Sequence, residues 1–194
     1  MEEDRIGVFV CHCGTNIAGS VNCQKVAEAV SRRDVALVRE HAYMCTGGQA
    51  QIVSDIEEYG LDRIVVAACS PRIHEETFRT VCTAAGMNPY LMEMVNIREQ
   101  CSWCLAHEPE AATRKSVDLV LMGIERVKLN QPLVPIVVPM TKRALVMGGG
   151  ITGIEAALQL ADQGHEVIMV EKGSTIGGKM AQLNKIFPDQ NCSP

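Results

Sequence analysis

Cysteine is the residue type through which this sequence could most readily do chemistry. Nine cysteines occur among 194 residues, and eight of them fall within the first 104. They stand at positions 11, 13, 23, 45, 69, 82, 101, 104 and 192. The chain starts Met1-Glu-Glu-Asp, which has the wrong charge for a signal peptide. An odd number of thiols in such a chain indicates metal ligation or redox chemistry rather than a disulfide framework.

Most of these cysteines follow segments that are predicted to be β-strands. The predicted strands are short apolar runs at residues 5–10, 35–38, 63–68 and 90–95. Helices are predicted between and after them, from about residue 22 and at 49–59, 78–85 and 110–129. Strands that alternate with helices form a parallel sheet, whose carboxyl ends share the edge where ligands bind. We therefore expect an α/β fold that brings thiols up to 90 residues apart to one cofactor.

An iron–sulfur cluster needs four ligands, which are usually thiolates. Cys45 and Cys69 follow strands in loops beside Gly-Gly and Ser-Pro, where backbone N–H groups can reach sulfur. Cys101 ranks with them as a candidate ligand. Cys11 and Cys13 are only two residues apart. If each of the other three loops supplies one ligand, the cluster needs only one of these two.

The remaining thiols have other interpretations. Cys82 lies on the apolar face of a predicted helix and Cys23 in the first turn of another, where a free cysteine packs as a small hydrophobic residue. The spacing Cys101-x-x-Cys104-x-x-His107 leaves zinc as an alternative metal. A non-catalytic scaffold that uses zinc or bare thiols is therefore an alternative to a redox protein.

A second motif indicates a nucleotide site. Gly148-x-Gly150-x-x-Gly153 lies between a predicted strand at 143–147 and a predicted helix at 154–163. This context gives a tight turn, close approach of the backbone to a pyrophosphate, and a helix N-terminus that favours phosphate. Glu171 follows Gly148 by 23 residues and is placed to accept hydrogen bonds from ribose hydroxyls. The glycine pair before Lys179 favours FAD, and an NAD(P)-dependent oxidoreductase remains the alternative.

Composition excludes other classes of function. Lys and Arg total 18 against 23 Asp and Glu, which gives a net charge of −5, and aromatic residues make up 4% of the chain. A nucleic-acid surface would need clustered basic residues and stacking platforms, so we expect no nucleic-acid partner. No apolar stretch approaches the roughly 18 to 20 residues that span a bilayer. We expect a cytoplasmic protein with no membrane association.

Four segments closely resemble one known family. They are residues 8–17 (Val-Phe-Val-Cys-His-Cys-Gly-Thr-Asn-Ile), 65–72 (Val-Val-Ala-Ala-Cys-Ser-Pro-Arg), 88–90 (Asn-Pro-Tyr) and 96–103 (Asn-Ile-Arg-Glu-Gln-Cys-Ser-Trp). With them the chain resembles, over essentially its whole length, the A subunit of heterodisulfide reductase, an iron–sulfur flavoprotein of methanogens and other anaerobes. The resemblance implies a Rossmann-like [4Fe–4S] domain over 1–130 and a proline-containing linker over 131–142. It implies, over 143–194, the first βαβ part of a thioredoxin-reductase-like FAD domain.

The resemblance also implies site residues. The expected cluster ligands are Cys11, Cys13, Cys45, Cys69 and Cys101. Cys104 departs from the family, which usually has an apolar residue there. The residues expected to hold FAD are Gly148, Gly150, Ile151, Thr152, Gly153, Glu171, Lys172, Gly178 and Lys179.

The resemblance further implies a role in a larger complex. In this family a flavin takes two electrons from a hydrogenase or a formate dehydrogenase. It sends one electron to ferredoxin and passes the other toward the heterodisulfide of coenzymes M and B through the B and C subunits of heterodisulfide reductase. The resemblance thus implies an oxidoreductase component in the electron bifurcation of methanogenesis.

The last residues lead to a further expectation. A βαβ fragment cannot complete a parallel sheet buried on both faces or enclose a flavin ring. We therefore expect a continuation of the same chain or a complementing polypeptide. The family continues through a motif resembling Cys-Ser-x-Cys, in which some members place selenocysteine, and this sequence stops at Cys192-Ser-Pro194. We hypothesise truncation at a selenocysteine codon, with Cys192 as a ligand of a further cluster.

Overall fold

Four parallel strands form the sheet of the first of two units. They are β1 (Ile6–Cys11), β2 (Val35–His41), β3 (Arg63–Ala68) and β4 (Met92–Asn96), in the order β2-β1-β3-β4. All of β1 and all of β3 except Arg63 are buried, as strands covered by helices on both faces must be. The computed structural model describes residues 5–31, 34–183, 185 and 187–188, and the units are residues 1–135 and 136–194.

Five helices connect or follow these strands. They are α1 (Thr15–Ala18), α2 (Cys23–Val30), α3 (Gln49–Tyr59), α4 (Pro71–Ala84) and α5 (Pro109–Val127). Local sequence sets several of their ends. The side chain of Asn22 accepts a hydrogen bond from the Lys25 N–H at 3.0 Å at the start of α2. Gly60 ends α3 in the left-handed conformation, with φ of 55°.

The core of this unit lies on both faces of the sheet. On one face Val8, Val10 and Val65 pack against α2 and α5. On the other face Phe9 and Val66 pack against α3 and α4. Successive residues of β1 therefore belong to different cores, because side chains alternate across a strand. The result is a three-layer helix–sheet–helix arrangement.

The expected α/β fold with a parallel sheet is confirmed. The predicted strand at 90–95 begins two residues later than expected, because 88–91 form a turn in which Asn88 accepts from the Tyr90 N–H. Two short elements of the first unit were not predicted. They are α1 and a π-helical turn over Arg98–Ser102.

The second unit is a smaller parallel arrangement. β5 (Arg143–Met147) pairs in parallel with β6 (Glu166–Val170), and α6 (Ile151–Asp162) connects them. A short 3₁₀ turn follows at Met180–Gln182. The predicted linker at 131–142 has no regular secondary structure. Within the part of the chain that the structure describes, no helix has the length and apolar character to cross a membrane.

Candidate metal centre and nucleotide site

Thiols flank the topological switch point of the four-stranded sheet. The chain leaves β1 for β2 on one side and returns to β3 on the other, so the switch point lies between β1 and β3. Cys11 is the last residue of β1, and Cys69 follows β3 directly. In open parallel sheets ligands bind outside the carboxyl ends of the strands at such a point. We therefore take this edge as the candidate metal centre.

Backbone N–H groups from two loops converge on the sulfur of Cys11. The Cys13 N–H donates to it at 3.3 Å and the Met44 N–H at 3.4 Å. The Cys11 side chain is almost completely buried, and burial raises its pKa, while these two N–H groups oppose the rise. N–H donors directed at a buried sulfur stabilise a thiolate, which is the form that binds a metal.

Cys13 lies in an unusual part of the loop. Among the described residues other than glycine, Cys13 is the one with a positive φ, at 49°, and Gly14 follows it with φ of 54°. A non-glycine residue in this region costs about 1 to 3 kcal/mol and is typical of functional sites. Its sulfur accepts a hydrogen bond from the Arg98 guanidinium at 3.2 Å. The loop therefore holds this thiol against a permanent positive charge.

Cys45 and Cys69 complete the group. The pKa of Cys69 is raised to about 11, because burial and the charges of Cys13, Glu99 and Cys11 together outweigh the lowering effect of Arg98. Cys13 and Cys45 in turn both raise the pKa of Cys11. Cys11 and Cys69 are buried in one apolar cluster, and Cys13 and Cys45 pack against that cluster. The structure thus brings four thiols together from three segments at or after the carboxyl ends of β1, β2 and β3.

The donor set fits an iron–sulfur cluster. Four sulfurs, buried backbone N–H donors and one guanidinium are the groups that hold and tune such clusters. Among the described residues no three Cys, His, Asp or Glu side chains form a ready site for a single metal ion. A four-iron cluster is larger than one ion, so its ligand sulfurs stand farther apart than those of a zinc site.

The structure does not bring Cys101 to this group. Cys101 is fully buried in the core between the sheet and α5, on the face opposite Cys11 and Cys69. Its thiol lies 3.1 Å from the Ala112 carbonyl oxygen and 3.1 Å from the Ser116 hydroxyl, both on α5. The rule that strand ends meet at one edge gives no information on which face a side chain enters.

The structure does not bring the alternative zinc ligands together. Cys104 is exposed and its thiol donates to the Glu99 carbonyl at 3.0 Å, and His107 is exposed. With Cys101 turned to α5, these three do not form a metal-binding group in the described part of the chain. Cys192, the sixth predicted ligand, lies outside the described residues.

The two thiols interpreted as core residues are buried. Cys82 and Cys23 are 0% and 4% exposed, and burial raises the pKa of each to about 12. At about pH 8 a thiol with that pKa is ionised in roughly one molecule in 10,000.

We therefore expect iodoacetamide to alkylate Cys82 at least about a thousandfold more slowly than the exposed Cys104 at about pH 8. Peptide mass spectrometry of the native protein after timed alkylation measures both rates. Comparable rates would show that the Cys82 thiol is not part of a closed core.

The glycine motif of the second unit forms a cradle. A cavity of about 460 Å³ is lined by Met147, Gly148, Gly150, Ile151, Thr152, Gly153, Ala156, Lys179 and Met180. It lies at the N-terminus of α6, where no side chain caps the helix. Unpaired N–H groups and the positive end of the helix dipole there favour a phosphate group.

Each glycine of the cradle has a separate reason to lack a side chain. A Cβ on Gly153 would collide with the carbonyl oxygen of Gly148, which itself has φ of 104°. A Cβ on Gly150 would meet nothing within 4 Å and would project into open space. Gly153 is therefore needed by the turn itself, whereas Gly150 keeps space free for a ligand.

A second glycine turn packs against the first. The Gly177 N–H donates to the Gly149 carbonyl at 2.6 Å, and a Cβ on Gly178 would lie 3.1 Å from the Gly150 Cα. The Glu171 carboxylate accepts from the N–H groups of Gly173 and Gly149 at 2.7 and 2.6 Å, which lower its pKa. The structure thus brings these predicted residues around one turn. Of the predicted FAD residues, Glu171, Lys172 and Gly178 are not among those that line the cavity.

Comparisons with known proteins support FAD and an iron–sulfur cluster as the cofactors. A family model described as FAD dependent oxidoreductase matches residues 144–189. The second of the iron–sulfur A subunits of CoB–CoM heterodisulfide reductase in Methanopyrus kandleri is 55% identical over 99% of this chain and 30% of its own length. The A subunit of the H₂:CoB–CoM heterodisulfide, ferredoxin reductase of Methanothermobacter thermautotrophicus is 49% identical over 100% of this chain and 30% of its own. The A subunit of the ferredoxin/F420H2-dependent CoB–CoM heterodisulfide reductase of Methanosarcina acetivorans is 53% identical over 97% of this chain and 24% of its own. The chain thus spans less than a third of these relatives.

Proposed function

This chain is homologous along almost its whole length to the A subunit of heterodisulfide reductase, and from that relation we propose that it carries electrons between an iron–sulfur cluster and FAD in an oxidoreductase. The observation that carries the proposal is the group of four thiols at the switch point of the sheet. Cys11, Cys13, Cys45 and Cys69 come from three loops, backbone N–H groups donate to the Cys11 sulfur, and the Arg98 guanidinium donates to the Cys13 sulfur.

In this proposal Cys11, Cys13, Cys45 and Cys69 are the four ligands of one [4Fe–4S] cluster. Cys11 and Cys69 hold it from the ends of adjacent strands, and the backbone N–H groups of Cys13 and Met44 stabilise the charge on the Cys11 sulfur. Burial of Cys11 and Cys69 excludes water from that side. Cys101 and Cys192 remain predictions of the family resemblance, the first with its thiol directed to α5.

The second unit would hold the adenine-nucleotide half of FAD. The N-terminus of α6 and Gly150 would receive the pyrophosphate, with Ile151, Thr152 and Lys179 lining the cavity. Glu171, held by the N–H groups of Gly149 and Gly173, would accept from the ribose. The match of this region to an FAD-dependent family model supports FAD over NAD(P). When bound, FAD can accept electrons in a pair and release them one at a time, which is the chemistry that links a two-electron donor to iron–sulfur clusters.

The names of the relatives indicate which electron donors and acceptors to propose. Those names mention H₂, ferredoxin and the CoB–CoM heterodisulfide. We propose that the chain works in a cytoplasmic complex with the B and C subunits of heterodisulfide reductase, a hydrogenase or formate dehydrogenase, and ferredoxin. In this complex a flavin would divide the electron pair between ferredoxin and the heterodisulfide.

An anaerobic reductive titration tests the proposal. We expect the native complex to show flavin bands and a broad visible absorbance that bleaches as dithionite is added. Two separate phases of bleaching, one for each cofactor, would support an electron-transfer role. A colourless protein, or one with zinc in place of iron, would contradict the proposal and favour the scaffold alternative.

A further inference from the structure

Arg98 donates to one thiol of the cysteine group, and it lies in segment 96–103, in which only Cys101 is a predicted site residue. It is the first residue of the π-helical turn that follows β4. One terminal nitrogen of its guanidinium donates to the Cys13 sulfur at 3.2 Å, across 85 residues of sequence. One side chain thus links the turn after β4 to a thiol in the loop after β1.

The position of Arg98 is fixed by its surroundings. The side chain of Asn96, at the end of β4, accepts from the N–H groups of Arg98 and Glu99 at 3.2 and 3.0 Å. The guanidinium lies over the Trp103 ring, 4.8 Å from its centre. The turn is also tied to the loop after β1, because Ser102 donates to the Asn16 carbonyl at 2.7 Å. The charge therefore cannot easily move away from the sulfur.

Glu99 provides an opposing charge beside it. Its carboxylate accepts from two guanidinium nitrogens of Arg98 at 3.2 and 2.7 Å. Although burial opposes the shift, these contacts and the hydrogen bond to Cys13 hold the pKa of Arg98 above its ordinary value. The Arg98 side chain is only 14% exposed, so solvent screens its charge weakly.

We propose that Arg98 is a positioning residue that raises the reduction potential of the cluster held by Cys13, and that Glu99 limits this increase. The inference rests on the proposed function. Reduction adds one electron, supplied here by dithionite, and therefore one negative charge to the cluster and its ligands. A fixed positive charge close to a ligand sulfur stabilises this more negative state. A neighbouring carboxylate destabilises it.

Two substitutions are expected to shift the midpoint potential in opposite directions. Arg98→Met should disfavour reduction at least tenfold, a shift of about 59 mV or more to lower potential for a one-electron couple. Glu99→Gln should shift the potential upward. Arg98→Lys keeps the charge but loses the planar fork, so its potential should lie between those of the native protein and Arg98→Met.

Arg79 offers a matched control in the same unit. It pairs with Glu75 at 2.6 Å, and its guanidinium lies over the Tyr90 ring, 4.5 Å from the ring centre. Arg79 thus shares with Arg98 a carboxylate partner and an aromatic ring, but no hydrogen bond to a thiol is among its described contacts. Arg79→Met should leave the potential unchanged.

The experiment is a potentiometric titration of the native complex, followed by electron paramagnetic resonance of the reduced cluster. An unchanged potential in Arg98→Met and Glu99→Gln, with the cluster signal intact, would overturn the inference and leave the proposed function standing. If Arg98→Met does not assemble, Arg98→Lys and Glu99→Gln decide the matter by the same criterion. Absence of the signal from the native complex would instead contradict the proposed function.

Discussion

Replacement of Cys69 or Cys11 by alanine should remove the cluster, with a loss of about four iron atoms per chain. Both thiols lie at the switch point of the sheet, and their burial leaves no room for water to take the place of a missing ligand. Iron and acid-labile sulfide, counted per chain after anaerobic purification, measure the effect.

Cys82→Ala is the matched control for these variants. Cys82 is buried in the same apolar cluster as Cys11 and Cys69 but lies on α4, away from the strand ends. The Cys82→Ala substitution should lower the stability of the fold through lost packing and leave the iron content unchanged. Iron retained in Cys69→Ala, or lost equally in Cys82→Ala, would contradict the assignment of ligands.

Gly150→Ala should reduce flavin content at least tenfold without unfolding the second unit. The added methyl group meets no protein atom within 4 Å, and the backbone of Gly150 is extended, with φ of −76°, so alanine fits without strain. The methyl group would occupy the space where a pyrophosphate must approach the backbone. As an N-cap, alanine in place of glycine costs about 1 kcal/mol or less. Absorbance of released flavin gives the content of each variant.

Gly153→Ala separates folding from binding. Its Cβ would collide with the Gly148 carbonyl oxygen, so this variant should lose both flavin and thermal stability. Gly150→Ala should lose flavin but keep the melting temperature that the native protein has when its flavin is removed. Normal flavin content in Gly150→Ala would contradict the location of the nucleotide site.

Strong local patterns made most of the fold predictable. The bounds of β3 could be predicted to the residue. A strand buried on both faces is a continuous apolar run, and here a glycine turn precedes the run and Ser-Pro follows it. The π-helical turn at Arg98–Ser102 had no such signal. It depends on the side chain of Asn96 and also on the contact of Ser102 with Asn16 of α1, which is 86 residues away in the sequence.

The thiols show the same division. Sequence order and the rule for parallel sheets predict that Cys11, Cys45 and Cys69 lie at one edge, and in the structure Cys11 and Cys69 share an apolar cluster against which Cys45 packs. The same rule also included Cys101, because it orders strand ends but does not assign side chains to faces of the sheet. Arg98 belongs to a segment that resembles the family, but its contact with Cys13 could not be predicted from the sequence, because it arises only when β1 and β4 lie in the same sheet.

Anomalous diffraction at the iron absorption edge, from anaerobically grown crystals of the native complex, tests the central claim most directly. We expect iron density at the carboxyl ends of β1 and β3, bounded by the sulfurs of Cys11, Cys13, Cys45 and Cys69. Iron density bounded by Cys101 instead, or none at this edge of the sheet, would contradict the proposed cluster site.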